Sequence, residues 1–530
     1  MLTPARPDPT AGCWQGGSPR ERLVSSGTAK ETGVDTPDVA VVGTGPNGLA
    51  AAVTMARAGL RVALYEQAED IGGGLRSSPL FDDAITHDIC SAVHPLAAVS
   101  PFLRGFDLAA RGVELLHAPA AYAHPLANGR AAVAYRDLAM TCAGLGRDGD
   151  RWRRLMQPLL DHSDAVVGMM LSAQRTPPRE VGAALLVLRQ ILVHGTTLTR
   201  HRFRTDAARA LLTGVAAHAV GPLPSPASGA VALLLGHLAH GAGWPVPRGG
   251  SGRIADALAD DVRAHGGTFH TGCRVNDLDE LGPVRAVLLD VGAKEFVRIA
   301  GRRLPTGYAR ALTAFRYGPG AAKVDFLVSE PIPWANPEVG KAATVHLGGT
   351  QAHMWRVESR TARGLPCAEP FVLVVDPAVA DPGRARPGLR PVWAYAHVPH
   401  GDPRDPVALV RSRIERFAPG FADTVVASRG ISARDYERYN PNYVGGDIGA
   451  GAMTLRQSVL RPTPRLDPHT TPLSGVYLCS AATPPGPGVH GMSGLLAARS
   501  ALRREFGMRS LPSLAPSGRQ WRVFLRRETD

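Results

Sequence analysis

The first ordered hydrophobic pattern in the chain is a compact apolar run, Asp38–Val42 (DVAVV). A glycine-rich turn follows, then Leu49–Leu60 (LAAAVTMARAGL), a stretch of helix-forming composition with Gly59 near its end. Arg61–Tyr65 (RVALY) is a second short run rich in strand formers. Runs that are apolar at consecutive positions predict parallel strands buried on both faces, so this segment reads as a strand–helix–strand unit. Further along, Thr268–Val275, Ala286–Val291 and Val476–Cys479 predict more strands. Trp152–Met170 and Glu180–Val193 predict helices, and Ala322–Val328, Phe371–Val375 and Val392–His397 predict strands of a second sheet. Lys323 and Asp325 alternate with Val324 and Phe326. They share one strand face, expected to be the outer face of a half-buried strand, with a polar patch facing substrate as the alternative.

The turn between the first two strands reads Gly43-Thr-Gly45-Pro46-Asn47-Gly48. In a dinucleotide-binding unit each glycine has a physical task. Gly43 permits the tight turn, Gly45 lets backbone approach a pyrophosphate, and Gly48 lets the helix lie close to the strand. The helix N-terminus then offers free N–H groups and a partial positive charge to the phosphates. Glu66 ends the second strand, where a carboxylate can accept from both ribose hydroxyls, and its charge disfavours a 2′-phosphate. Strand, glycines, helix, strand and acid occur in the required order, which makes the motif far stronger than its glycines alone.

Composition narrows the class. The chain has 530 residues, enough for two or three domains, with 44% hydrophobic and 20% charged residues. Its 59 glycines and 45 prolines imply many turns and connections. The formal net charge is +13, yet the arginines are dispersed, and nucleic-acid binding is not expected. The denser group Arg200, Arg202, Arg204 and Arg209 reads as a solvated helix face, with a phosphate or lipid-headgroup site as the alternative. Six cysteines lie far apart without a C-x-x-C pair, so no zinc knuckle or redox pair is expected and a reduced, cytoplasmic protein is the simplest inference. Residues 1–36 read as a disordered leader or an over-extended start, without the apolar core of a secretory signal. Ala183–Val193 and Ala230–Ala239 are too short to span a membrane and suit buried helices or a surface resting on lipid. Serine-hydrolase, zincin and Walker motifs are absent from the sequence, and no metal site is expected.

Asp70-Ile-Gly72-Gly73-Gly74-Leu75-Arg76 follows Glu66. It resembles the second glycine motif of glutathione-reductase-like and amine-oxidase-like flavoproteins. Together with HDICSAVHPLAAVSPF, WPVPRGGSGRIADAL, RYGPGAAKVDF, YNPNYVGGDIGAGA and YLCSAATPPGPGVHGMSGLLAAR, it makes the chain similar to the phytoene-desaturase-like FAD oxidoreductases from about Asp38 to about Arg504. That group includes bacterial carotenoid desaturases and pyridine-nucleotide-disulphide-oxidoreductase-domain proteins. The resemblance implies an α/β fold in which a Rossmann-type FAD-binding domain (37–105, 245–300 and 440–510) is interleaved with an α+β substrate domain (106–244 and 301–439), leaving a tail at 511–530.

By the same resemblance the cofactor is FAD. Its expected contacts are Gly43, Gly45, Pro46, Asn47, Gly48, Glu66, Gly73, Gly74, Leu75, Arg76 and Val275 from the first part of the chain. Ser480, Gly488, Val489, His490, Gly491 and Met492 are expected to add contacts from the C-terminal part. Pro487 departs from the pattern, which has a glycine there, and fixes φ. Asn442, Tyr443 and Asp447 are carried by resemblance, with a turn-forming role as the alternative for Asn442. His94 and His490 are the candidate catalytic groups: His94 as proton relay or substrate anchor, against a histidine satisfied by backbone, and His490 in proton transfer, against a contact with flavin alone.

The expected activity is FAD-dependent dehydrogenation or desaturation of a small, largely apolar molecule, with oxygen or a quinone as electron acceptor. A redox-neutral FAD-dependent isomerase, an amine or natural-product oxidase, and a non-catalytic flavin-binding interaction protein are the alternatives. A peripheral membrane contact is a further expectation, tied to quinone use.

Overall fold

The computed structural model describes residues 36–172 and 180–517. The expected leader therefore lies outside the described residues, as does the last part of the tail.

Five short strands form a wholly parallel sheet in the order Val476–Leu478, Ala286–Leu289, Val39–Val42, Val62–Tyr65, Thr268–His270. Val41 lies opposite Leu64 on one side and Leu288 on the other. The strand Val39–Val42 is apolar at every position because both sheet faces are covered. Helices Pro46–Arg57, Gly252–Ala264 and Met492–Glu505 pack on one face around Val39, Val41 and Leu49. Helix Ala293–Ala300 covers the other face through Phe296 and Ile299, against Ala40 and Leu289. The C-terminal strand thus returns across some 190 residues of intervening chain to pair beside Ala286–Leu289.

The second sheet has seven strands in the order Val425–Ile431, Gly320–Val328, Arg390–Val398, Val372–Val375, Ala342–Leu347, Ala120–Pro125, Ala131–Ala134. All neighbours are antiparallel except Ala342–Leu347 with Ala120–Pro125. One face carries Val324, Phe326, Val345, Val374 and Ala394 and packs against Val410, Ile414 and Phe421. The opposite face carries Tyr122, Thr344, His346, Trp393 and Tyr395, directed toward helices Asp206–Ala216 and Pro226–His240.

Two expectations are corrected here. Lys323 and Asp325 do share a face, but it is not solvated: both are fully buried and form an ion pair. The helical layer over the sheet excludes water from that face, which a two-residue alternation in the sequence does not reveal. Trp152–Met170 is two helices, Gly149–Asp161 and Ser163–Met170, separated at His162, whose φ of −114° leaves the helical region. No helix among the described residues is long and apolar enough to cross a membrane.

Candidate dinucleotide and substrate site

The glycine turn joins Val39–Val42 to a helix that starts at Pro46, with Gly45 as N-cap and no side chain capping it. Gly43 has φ +93°, a left-handed value, and its N–H donates to the Tyr65 carbonyl at 2.8 Å. A Cβ on Gly48 would run into the Gly43 carbonyl, so only glycine permits this helix–strand approach. The second motif crosses the first: a Cβ on Gly73 would lie 2.9 Å from Gly45 Cα, and one on Gly74 would lie 2.6 Å from the Tyr443 hydroxyl.

Glu66 is buried at the end of the second strand. Its Oε2 accepts from the Thr44 amide at 3.0 Å and the Thr44 hydroxyl at 2.6 Å. Its Oε1 accepts from Arg76 at 3.1 Å. Asp290, which ends strand Ala286–Leu289, was not marked by sequence reasoning. Its Oδ2 accepts from the Gly48 amide at 2.9 Å, and burial pushes its carboxyl up to about 7, with the charge of Glu66 adding to the shift. The missed signal is an acid directly after AVLL, at the carboxyl edge of a parallel sheet, where open α/β folds place ligands. Asn442 ties this corner down: it donates to the Asp290 carbonyl at 3.0 Å and accepts from the Gly292 amide at 2.7 Å.

A cavity of about 600 Å³ starts at this turn. It is lined by Gly43, Gly45, Pro46, Asn47, Glu66, Gly73, Gly74, Arg76 and Val275 from the first part of the chain. Ser480, Gly488, Val489 and His490 line it from the C-terminal part. Gly48, Leu75, Gly491 and Met492 do not line it. Leu75 lies in the core, and Gly491 makes a close backbone approach, where a Cβ would lie 2.5 Å from the Phe102 ring. Met492 opens the C-terminal helix and gives its N–H to His490 Nδ1 at 3.0 Å. Pro487 is accommodated because Gly486 and Gly488, at φ +114° and +134°, keep the turn on either side of it.

Neither candidate histidine is ionised at neutral pH. Burial holds His94 and His490 at about 4. His490 Nδ1 accepts from Met492, so its Nε2 carries the proton toward the Gly486 carbonyl at 3.1 Å; both nitrogens serve the turn. His94 Nε2 lies 2.7 Å from the Ser251 hydroxyl, whose own hydrogen goes to the Ser91 carbonyl at 2.6 Å. His94 must therefore donate through Nε2, leaving Nδ1 as a lone pair.

Beyond the glycine turn the cavity continues between the second sheet and the helical layer. Thr344, Val375, Trp393 and Tyr395 form its sheet wall, and Leu188, Ile191, Val231, Leu234 and Leu235 its helix wall. Leu188 belongs to an exposed apolar stripe with Val181, Leu185 and Leu192 on helix Val181–His194. Leu455, from helix Leu455–Leu460, also lines the cavity and is exposed, with Val459 and Leu460 beside it. Among the described residues no group of three metal-ligating side chains occurs.

The residues at the turn fit a dinucleotide. The side-chain-free backbone of Gly43, Gly45 and Gly73 lines the cavity, and the helix N-terminus is uncapped. Asn47 Oδ1, buried at the cavity wall, has no protein partner. A profile of NAD(P)-binding Rossmann-like domains matches residues 41–106. The pyridine nucleotide-disulfide oxidoreductase domain-containing protein 2 of Rattus norvegicus is 25% identical over 559 residues, covering 88% of this chain and 93% of the relative. The hydroxyneurosporene desaturase of Cereibacter sphaeroides is 28% identical over 512 residues, covering 86% and 94%. In fold the chain is similar to an oxidoreductase from Methanosarcina mazei, with TM-score 0.56 and 15% identity over 88% of this chain and 100% of the other. The matched profile and the glycine turn agree on a dinucleotide as the cofactor class.

Proposed function

We propose that this chain, which belongs to the phytoene-desaturase-like FAD-dependent oxidoreductases, binds FAD and dehydrogenates a partly apolar small molecule. One observation carries the reading. A single cavity joins the glycine cradle to a chamber walled by Leu188, Ile191, Leu234 and Leu235. FAD, when bound, supplies the hydride-accepting chemistry. The residues of the chain have other tasks. Gly43, Gly45 and the N-terminus of helix Pro46–Arg57 would hold the pyrophosphate, and Glu66 the ribose. The apolar wall orients substrate and excludes water. His94, His490 and His218 line the cavity in neutral form, which supports removal of hydride from a C–H bond over chemistry that needs a strong acid.

The purified holoprotein should be yellow, and its flavin should bleach anaerobically with some member of a panel of polyenes, prenyl compounds, ketones, alcohols and amines. If none reduces it, the reading fails. Product without consumption of oxidant would instead favour the isomerase.

The electron acceptor in this reading is oxygen or a quinone. The cavity is lined by Leu188 from the apolar stripe of helix Val181–His194, and Arg189, Arg200, Arg202 and Arg456, near that stripe or Leu455 in sequence, are exposed. Exposed leucines together with exposed arginines fit the surface of a bilayer that carries anionic lipid. We infer that the protein docks there peripherally, so that an apolar substrate reaches the cavity without crossing water.

A further inference from the structure

Deep in the substrate chamber the wall is not uniformly apolar. His218 lines the cavity and is part-exposed to it, standing in the turn Ala217–Ala219. Its Nε2 lies 2.9 Å from His346 Nε2, and its ring meets Trp244 edge-on at 5.3 Å between centroids. The next residue but one, Val220, has φ +44°. A β-branched residue in the left-handed region is strained, and such strain persists only where surrounding structure enforces it. Val220 also lines the cavity.

The protons of this pair can be placed. A short contact between two imidazole nitrogens needs one donor and one acceptor. His346 is fully buried and its Nδ1 has no partner. If His218 donated through Nε2, neutral His346 would carry its proton on Nδ1, a buried N–H without an acceptor. Neighbouring His124 offers no relief. It gives its Nε2 proton to the Gly349 carbonyl at 2.8 Å, and its own Nδ1 has no partner. An orphaned buried N–H costs about 1–3 kcal/mol, whereas an unused lone pair is more readily tolerated. The favoured arrangement therefore has His346 donating to His218, which leaves the His218 proton on Nδ1. Among the described residues no hydrogen bond takes up that proton, and His218 lines the chamber. Both rings stay neutral: burial holds His218 at about 3 and His346 well below its ordinary value.

Thr344 supplies a second polar group to the same wall. It lies opposite Val375, which lies opposite Trp393, so the three form one row across adjacent strands. All three line the cavity, and the Thr344 hydroxyl is buried without a partner. Lys323, a buried cation of this sheet face, is occupied by Asp325.

From this geometry we propose that His218 anchors substrate by donating its Nδ1–H to an uncharged carbonyl or hydroxyl oxygen, and that the substrate is an oxygenated amphipathic molecule whose apolar remainder lies along Leu188, Ile191 and Leu234. The proposal rests on the oxidoreductase reading and narrows its substrate class. A neutral donor, with the cavity-lining Arg76, Arg274 and Arg298 each paired to Glu66 or Glu295, selects a ketone, aldehyde or alcohol over a carboxylate, and selects any of these over a bare hydrocarbon.

The experiment uses the full-length holoprotein. Binding of a medium-chain 2-alkanone, the 2-alkanol, the alkane and the fatty acid of equal length is followed by perturbation of the flavin absorbance. The ketone or alcohol should bind about tenfold or more tighter than the alkane, as expected for one satisfied buried donor. His218→Leu should abolish that ratio while leaving alkane affinity and cofactor content unchanged. His218→Asn places an amide N–H near the Nδ1 position and should restore part of the ratio, which a merely structural role would not. An unchanged ratio in His218→Leu overturns the proposal, as does tighter binding of the fatty acid than of the ketone. In either case flavin reduction by another compound leaves the oxidoreductase reading standing. If no compound binds or bleaches the flavin in any variant, both fail together.

Discussion

The carboxylate of Asp290 stands where a side chain at Gly45 would have to go: a Cβ on Gly45 would lie 2.6 Å from Asp290 Oδ2. The same oxygen accepts the amide of Gly48, so one buried acid braces two glycines of the turn from a strand nearly 250 residues away. A carboxylate close to the bed of a pyrophosphate is tolerable when it is protonated, and burial provides for that by raising its pKa.

Asp290 therefore gives the cofactor-free protein a pH-dependent stability. Below about pH 4 the carboxyl is protonated in both folded and unfolded chain, and its contribution is fully present. As pH rises to about 7, the unfolded chain releases the proton while the folded one keeps it, so stability falls. Asp290→Asn should remove this part of the fall, worth about 2–4 kcal/mol between pH 4.5 and 7.5 on the order of one buried group. Chemical denaturation of both proteins across that range checks it; parallel curves would refute the assignment.

Lys323 and Asp325 form a buried pair on the sheet face behind the substrate chamber. Lys323→Met strands the carboxylate and should destabilise by about 3–5 kcal/mol. Lys323→Met with Asp325→Leu should recover most of the loss, because two apolar side chains leave no unpaired charge. Urea midpoints of the three proteins measure it. A single variant as stable as the wild type would mean the pair is not desolvated.

His490 serves the turn with both nitrogens. No ionisation of His490 should appear in the pH–rate profile or by NMR between pH 5.5 and 8, since burial holds it at about 4. His490→Ala should act first on cofactor retention, with loss of flavin on gel filtration. A variant that keeps its flavin but loses an activity pKa near neutrality would restore the proton-transfer role.

The exposed stripe of helix Val181–His194 should carry membrane affinity. The wild-type protein should float with vesicles containing anionic phosphatidylglycerol, and float less with pure phosphatidylcholine, with binding weakened by salt. Leu185→Glu with Leu188→Glu should abolish flotation while leaving flavin content intact. Equal flotation of both proteins would place the contact elsewhere.

Much of the cofactor end was legible in the sequence because its constraints are local. Gly43, Gly45 and Gly48 are demanded by backbone geometry within six residues, and a consecutive apolar run signals a strand covered on both faces. Asp290 escaped because nothing around it departs from an ordinary strand end. Its role exists only once Val39–Val42 lies beside Ala286–Leu289.

The sequence by itself determined the dinucleotide unit, the presence of two strand sets with helices between them, and the resemblance that ties both chain ends to one cofactor. Only the tertiary structure decided the character of the polar side chains on the second sheet. Lys323, Thr344, His346 and Trp393 alternate with apolar residues as any half-solvated strand would. Whether such a face meets water or a closed chamber depends on what packs above it, and here that is a helical layer drawn from residues 149–240. Burial turns the same alternation from a solvated surface into an ion pair, a neutral histidine pair and a wall with an unused hydrogen-bond donor, because desolvation penalises every charge and every polar group left without a partner.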